Sequence, residues 1–335
     1  MKRSTNSCLR YDVQAAARSL PPGMDLAVTV DTLVSGVHFP LDTAPADIGY
    51  KALAVSLSDL AAMGAVPDWA AVTLTVPEVD EGWIAAFHGG MNEIAHCHDV
   101  QFPVGDLGRG PLATTLQLYG QVPRGQALRR DGAHPGDLVF VTGTLGDAGL
   151  ALAGRFSAAR LDVPEEHLAF VSRRLARPTP RVAAGMALRG IATAAIDISD
   201  GLAADLGHIA EASGLSAMVE VERLPLSHAL EGLADRALAW RLALSSGDDY
   251  ELCFTVPPER TKALTRAAKR LSCPVTRIGH MARCPGVEPA GRDSKMESPG
   301  TGTGCPGVQV LHGDGRPFSQ GGGYQHFTST APHPA

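Results

Sequence analysis

Three segments near the start of the chain decide the fold class: LAVTVD (26–31), ADIGYKALAVSLSDLAAM (46–63) and WAAVTLTV (69–76). The first and third are rich in β-branched residues, and the third alternates and stops at Pro77, so both are predicted to be strands. The middle segment has a helical apolar pattern and ends beside Gly64, a residue type common at helix C-termini. This strand–helix–strand order predicts a mixed α/β fold.

The rest of the chain continues this mixture. Further strands are predicted at residues 100–104, 113–122, 138–142, 192–198, 218–221 and 252–256. Further helices are predicted around residues 83–94, 145–154, 165–176, 179–190, 202–209 and 258–271. Because strands and helices alternate throughout, every part of the chain is expected to be α/β or α+β.

A turn sequence, HPGD at His134–Asp137, marks a domain boundary. It predicts an N-terminal domain of residues 1–133 and a C-terminal domain of residues 134–335, in agreement with about 150 residues per domain for a chain of 335 residues. The Gly-, Pro- and Ser-rich stretch at about residues 284–322 is predicted to be a flexible insertion in the second domain.

Composition and charge exclude several classes of protein. The chain has 29 Lys and Arg against 35 Asp and Glu, a net charge of -6, so it lacks the basic excess that a nucleic-acid-binding protein needs. It contains no apolar run of roughly 18 to 20 residues that would span a membrane, and no apolar region follows the basic start. The six cysteines form no CxxC pair. A soluble, cytoplasmic protein without nucleic-acid or membrane partners is expected.

Acidic residues end five of the apolar segments, and this is the most informative pattern in the sequence. The five are AVTVDT at Asp31, AVSLSD at Asp59, FPVGD at Asp106, AIDISDG at Asp197 and Asp200, and LSSGDDYE at Asp248, Asp249 and Glu251. Asp59 and Asp200 each precede a helical pattern, so taken singly both are also candidate helix N-caps. Taken together, carboxylates from distant segments that meet in one pocket repel one another and require a cation.

Mg²⁺ is the cation that suits such an oxygen-rich cluster, because it binds a few carboxylates together with phosphate oxygens and waters. The implied substrate is a polyphosphate, which an acidic pocket would reject unless metal ions mediated the contact. Arg130 is a candidate for a direct phosphate contact, and a solvated loop arginine is the alternative for the same residue.

The motifs resemble those of the thiamine-monophosphate kinases, in order, from about residue 20 to residue 327. The matching blocks are DTLVSGVHF (31–39), YKALAVSLSDLAAMGA (50–65), GD with RGP (105–106 and 109–111), IDISDGL (196–202), GDDYEL (247–252) and GYQHF (323–327). The resemblance implies transfer of the γ-phosphoryl group of ATP to thiamine monophosphate. It also implies the two-domain fold of aminoimidazole ribonucleotide synthetase, with the N-terminal sheets of two subunits joined in a homodimer.

The resemblance also implies roles for individual residues. The magnesium ligands would be Asp31, Asp59, Asp106, Asp197 and Asp200, assisted by Thr29. The ATP contacts would be Gly105, Asp106, Arg130 and Ser199, and the thiamine-phosphate contacts His38, Asp248 and Tyr324. No residue is expected to act as a general base.

The chain departs from the family pattern at several positions. Where the family has an acidic pair upstream of the first strand, this sequence has Val13 and Gln14, so one shared metal ligand is missing. An acid in the substrate motif is shortened by one methylene to Asp248. The Val13 and Gln14 replacements leave open a nucleotide-binding homologue with impaired turnover. A second alternative is an enzyme of the same fold with another phosphate acceptor.

Overall fold

The computed structural model describes residues 18–156, 163–284 and 307–319. Packing divides the described residues into two compact units: the first holds residues 18–127, 151–156, 163–189 and 250–252, and the second holds residues 128–150, 190–249, 253–284 and 307–319. Residues 151–156 and 163–189 follow the predicted boundary at 133/134 in the sequence but pack in the first unit, so the units are not single stretches of chain. Across the described residues, no helix is both long and apolar enough to cross a membrane.

The first unit is a four-stranded sheet covered by helices. Its strands are β1 (Met24–Val34), β2 (Val66–Val76), β3 (Gln101–Arg109) and β4 (Ala113–Pro123), in the order β1-β4-β2-β3. Its helices are α1 (Pro45–Ala62), α2 (Glu81–His98), the end of α3 (Asp147–Phe156), α4 (Glu165–Ala176) and α5 (Val182–Leu188). Strands β2 and β3 run parallel, and β4 is antiparallel to both β1 and β2.

Glycines allow the helices of this unit to pack closely. A Cβ on Gly49 of α1 would lie 1.9 Å from the carbonyl oxygen of Phe87, and a Cβ on Gly90 of α2 would lie 1.7 Å from that of Ala46. Gly185 of α5 approaches the carbonyl oxygen of Ala61 equally closely. These close backbone contacts fix the position of α1 against α2 and α5, and α1 carries Asp59, one of the predicted metal ligands.

The second unit is built on a six-stranded sheet. Its strands are β5 (Leu138–Thr142), β6 (Ala194–Asp197), β7 (Ser216–Glu220), β8 (Leu252–Val256), β9 (Val275–Ala282) and β10 (Gly307–Leu311), in the order β10-β7-β9-β5-β8-β6. Its helices are the start of α3, α6 (Leu202–Ser213), α7 (His228–Glu231), α8 (Arg236–Ser245) and α9 (Thr261–Ala268). Fully buried Ile196, Leu206 and Val219 belong to its core.

Most predicted elements are confirmed within a few residues, and β5, α4 and β8 match their predicted bounds. Strand β9 and helix α8 were not predicted from the sequence. The prediction of a flexible insertion is wrong for Gly307–Leu311, which forms β10 and pairs in parallel with β7. The error arose because glycine and proline on both sides hid a five-residue strand. Residues 285–306 and 320–322 of that stretch lie outside the described residues.

Candidate functional site

Two carboxylates of the first unit lie side by side, although 28 positions separate Asp31 from Asp59 in the sequence. Asp31 lies on β1 and Asp59 lies in the last turns of α1, inside the helix rather than at an N-cap. The Ser56 hydroxyl donates a 2.6 Å hydrogen bond to Asp31 Oδ2, and the Thr29 hydroxyl donates to Asp59 Oδ2. The group thus consists of two carboxylates and two hydroxyls, all of them oxygen ligands.

The electrostatics of this pair favour a bound cation. Burial, followed by the charge of Asp59, raises the pKa of Asp31 to about 6, while the hydrogen bonds from Ser56 and Thr29 lower it. Two like charges held this close, in a partly dry environment, destabilise each other. An oxygen-only donor set of this kind fits a hard cation such as Mg²⁺.

Asp106 does not join this pair within the unit. The ladder aligns Asp31 with Leu116 and Val72, whereas Asp106 on β3 aligns with Thr73. Asp106 is therefore on the opposite face of the sheet and on the opposite edge strand, about 14 Å away by three strand spacings. Asp106 is exposed, and with Gly105 it lines a cavity of about 260 Å³. The sequence predicts that Asp31, Asp59 and Asp106 meet in one pocket. Within a single copy of the first unit, Asp106 lies away from the other two.

His38 lies in the loop after β1, next in sequence to Phe39, which lines a cavity of the first unit. Its Nδ1 accepts the Val34 N–H at 2.9 Å, which fixes the orientation of the imidazole ring. The buried Lys51 ammonium donates to the His38 carbonyl oxygen at 3.2 Å. Lys51 and Phe39 also line the cavity, which has a volume of about 400 Å³ and is enclosed by residues from segments 39–51 and 151–177.

In the second unit, the site residues cluster where β6 ends. Asp197 is the last residue of β6 and is buried, Ser199 is exposed, and Asp200 is half-buried. Asp200 does not cap α6 with its side chain, so the alternative of a helix N-cap is wrong for this residue. Its carboxylate instead lies within 4.8 Å of ligand atoms of Asp205 and His208.

The substrate motif lies against the same loop. The Asp248 N–H donates a 2.9 Å hydrogen bond to the Ser199 carbonyl oxygen. Asp248 has a φ of 60° and Tyr250 a φ of 49°, two left-handed conformations in residues other than glycine. Such strain is concentrated at functional loops, where the surrounding structure must hold it. The structure thus brings Ser199, Asp200 and Asp248 together.

The remaining predicted residues are placed as follows. Arg130 is an exposed loop residue whose carbonyl oxygen accepts from Ser213. Tyr324, Val13 and Gln14 lie outside the described residues. Their predicted roles stay predictions.

Two residues of these groups were missed from the sequence. Ser56 lies three positions before Asp59, a spacing that places both on one side of a helix. Asp205 accepts N–H groups from Ser199, Asp200 and Gly201, and burial followed by the charge of Asp200 raises the pKa of Asp205 to about 7. From the sequence, Asp205 is only an acidic residue in the first turn of a helix. Many helices have such a residue, so this position alone did not identify it.

Known proteins resemble this chain over both units. The AIR synthase related protein N-terminal domain matches residues 12–122, and the corresponding C-terminal domain matches residues 134–290. A thiamine-monophosphate kinase from Salmonella typhimurium is 51% identical over 268 residues, which cover 80% of this chain and 82% of that relative. The chain belongs to the thiamine-monophosphate kinase family. A further member, from Bacillus subtilis, is 38% identical over 80% of this chain and 83% of its own length.

Solved structures of the family share the fold. The crystal structure of thiamine-monophosphate kinase from Stenotrophomonas maltophilia K279a is 46% identical, with a TM-score of 0.77 over 88% of this chain and 87% of that one. The structure of AaThiL complexed with AMPPCP and TMP is 30% identical, with a TM-score of 0.74 over 92% and 89%. The two-domain AIR synthase-like fold expected from the sequence is confirmed.

Proposed function

We propose that the protein transfers the γ-phosphoryl group of ATP directly to thiamine monophosphate, forming thiamine diphosphate and ADP. The observation that carries this proposal is the Asp31–Asp59 pair, an oxygen-only group built into a chain whose relatives are thiamine-monophosphate kinases. A ternary arrangement is supported by AaThiL, which was solved complexed with AMPPCP and TMP.

The residues position and neutralise rather than remove a proton. The attacking phosphate oxygen is largely ionised near pH 7, since the second pKa of a phosphate monoester is about 6, so no general base is needed. Asp31 and Asp59 would hold Mg²⁺, with Ser56 and Thr29 fixing their orientation. When bound, the ion supplies charge neutralisation for the transferring phosphoryl group.

In the second unit, Asp197 and Asp200 are proposed as further metal ligands, and Ser199 and Arg130 as nucleotide contacts. Asp248 is proposed as an acceptor contact, because its main chain is hydrogen-bonded to Ser199. Tyr324 keeps its proposed role at the acceptor, where an aromatic face would suit the cationic thiazolium ring.

The organic part of the acceptor is proposed to enter the cavity beside His38. Its wall includes apolar Phe39, Ile48 and Leu175. Four basic side chains and two acidic ones line it, a surplus of two positive charges that favours a phosphorylated molecule: Lys51, Arg155, Arg173, Arg177, Asp42 and Asp47. His38, which lies beside this cavity, would then contact the phosphate.

We further propose a homodimer formed through the sheet of the first unit. The face of this sheet opposite Asp31 exposes Leu26 by 55%, Val28 by 41% and Val30 by 58%, an apolar stripe that a second copy would cover. Asp106 with its neighbour Gly105 contributes to nucleotide and metal binding in this proposal. Because Asp106 lies on that same face, the proposed interface would place it beside the second copy, on the side of the sheet away from its own Asp31. A cytoplasmic location is proposed with this biosynthetic role.

The test is a direct assay with purified protein, Mg²⁺, ATP and thiamine monophosphate, in which thiamine diphosphate and ADP are separated and quantified. Equal amounts of both products are expected, with none when EDTA replaces Mg²⁺. ADP formed without thiamine diphosphate would indicate a different acceptor. If neither product formed while an ATP analogue still bound, the Val13 and Gln14 replacements would have impaired the enzyme.

A further inference from the structure

One carboxylate oxygen in the second unit organises three consecutive main-chain N–H groups. Asp205 Oδ2 accepts from the N–H of Ser199 at 3.0 Å, of Asp200 at 3.0 Å and of Gly201 at 3.1 Å. Asp205 as a whole residue is only 3% exposed, so water cannot readily replace its carboxylate as the acceptor.

The loop that Asp205 holds has no regular secondary structure to support it. It connects the last residue of β6, Asp197, to the first residue of α6, Leu202. Gly201 has a φ of 112°, a conformation that a helix or strand does not provide. Without Asp205, the three N–H groups would lose their common acceptor, and the direction of the Asp200 side chain would no longer be fixed.

We propose that Asp205 is a positioning residue, which fixes the main chain of Ser199–Gly201 so that Asp200 and Ser199 are directed at metal and nucleotide. The inference rests on the proposed function, in which Asp200 binds metal and Ser199 binds ATP. Asp205 itself acts through this loop and contacts neither the metal nor the reacting atoms.

Two other roles for Asp205 make different predictions. It would be a metal ligand if its own charge mattered, since its carboxylate lies within 4.8 Å of ligand atoms of Asp200 and His208. It would be purely structural if its loss affected only folding. Asp205→Asn keeps an oxygen at the same place without the charge, whereas Asp205→Glu keeps the charge and displaces the oxygen by one C–C bond.

The first measurement is amide hydrogen exchange of a peptide covering residues 198–204 in metal-free protein. Asp205→Asn is expected to keep the protection of the wild-type protein, and Asp205→Glu to exchange about tenfold faster in this peptide alone. Unchanged protection in Asp205→Glu would overturn the proposal.

The second measurement is calorimetric binding of AMPPCP at increasing Mg²⁺ concentration. Asp205→Asn is expected to need the same Mg²⁺ concentration as the wild-type protein, and Asp205→Glu about tenfold more. The matched control is Asp137→Glu. Asp137 is 2% exposed and accepts from the His134 N–H at 2.9 Å and the Thr193 hydroxyl at 2.6 Å, in a loop without proposed site residues. Its variant is expected to lose stability and keep the wild-type Mg²⁺ dependence.

The outcomes separate this inference from the proposed function. Asp205→Asn could keep the wild-type hydrogen exchange in the 198–204 peptide and still lose Mg²⁺-dependent binding of AMPPCP. That result would make Asp205 a metal ligand and overturn the positioning role. A lower melting temperature of Asp205→Glu with unchanged Mg²⁺ dependence would also overturn it. If the wild-type protein bound Mg²⁺ and AMPPCP but did not phosphorylate thiamine monophosphate, the proposed function would fail, while the expected pattern of binding would still support the role of Asp205.

Discussion

The main-chain N–H of Asp248 donates a 2.9 Å hydrogen bond to the carbonyl oxygen of Ser199. This bond joins the loop before β8 to the loop after β6, so a proposed acceptor contact and a proposed nucleotide contact have one common support. The close approach depends on Gly247, which has a φ of 70° and whose missing Cβ would lie 2.3 Å from that same carbonyl oxygen. The two loops therefore fit together only when residue 247 has no side chain.

Substituting Gly247 by Ala is expected to reduce turnover about a hundredfold, because the side chain would push the two loops apart. The matched control is Gly214→Ala, since Gly214 has a φ of 65° but nothing within 4 Å of its missing Cβ. Both variants should lose about 1 kcal/mol of stability from the left-handed backbone, and Gly214→Ala should keep wild-type turnover. Steady-state kinetics measure the turnover and urea unfolding measures the stability. Equal turnover in the two variants would contradict the role of Gly247.

The Asp31 carboxyl should make the stability of the metal-free protein depend on pH. Its pKa is about 6 in the folded state and 3.8 as the ordinary value, so the folded state binds the proton more tightly. The contribution to the free energy of unfolding is therefore fully present below pH 3.8 and is lost as the pH rises to about 6. Urea unfolding between pH 4 and pH 7 should show a fall that Asp31→Asn makes shallower.

Saturating Mg²⁺ should restore the free energy of unfolding that is lost as the pH rises. The ion binds the deprotonated Asp31 carboxylate and stabilises only the folded protein. The free energy of unfolding by urea is compared at pH 7 with and without Mg²⁺, in buffer free of Ca²⁺. A Mg²⁺ effect of equal size in Asp31→Asn and in the wild-type protein would show that the ion binds elsewhere.

Asp31→Asn and Asp106→Asn should each reduce turnover severely and leave the fold intact. If Asp106 serves the partner's site, mixing the two variants under conditions of subunit exchange should restore about a quarter of wild-type activity, because half of the dimers are mixed and each has one intact site. A mixture of Asp31→Asn with Asp59→Asn, two changes in the same group, should stay inactive. Absence of recovery in mixed dimers identified by mass would place Asp106 in the site of its own chain.

Filling the cavity beside His38 should weaken acceptor binding selectively. Ala151 lines that cavity, and Ala151→Phe is expected to raise the KM for thiamine monophosphate about tenfold while the KM for ATP stays the same. Ala183→Phe, at an exposed position of α5, is the control and should change neither constant. A parallel rise of both KM values would show that the cavity does not belong to the acceptor.

Local sequence patterns predicted most helices and strands, because the spacing of apolar residues depends only on neighbouring positions in the chain. Residues 46–63 were recognisable as α1 because they are a long apolar run of helical pattern, and the helix is buried on most of its sides. Residues 307–311 were not recognised as a strand, since a short edge strand is stabilised by its pairing with β7, which lies about 90 residues away and cannot be read locally.

The sequence alone determined the family, the two kinds of fold element and the acids at the ends of apolar segments, because order and residue type are sufficient for these. Only the tertiary structure decided which acids meet. The ladder register placed Asp31 and Asp106 on opposite faces of one sheet, and the folding of α6 brought Asp205 under the Ser199–Gly201 backbone. Such distances depend on strand pairing and helix packing between remote segments, which no local pattern encodes.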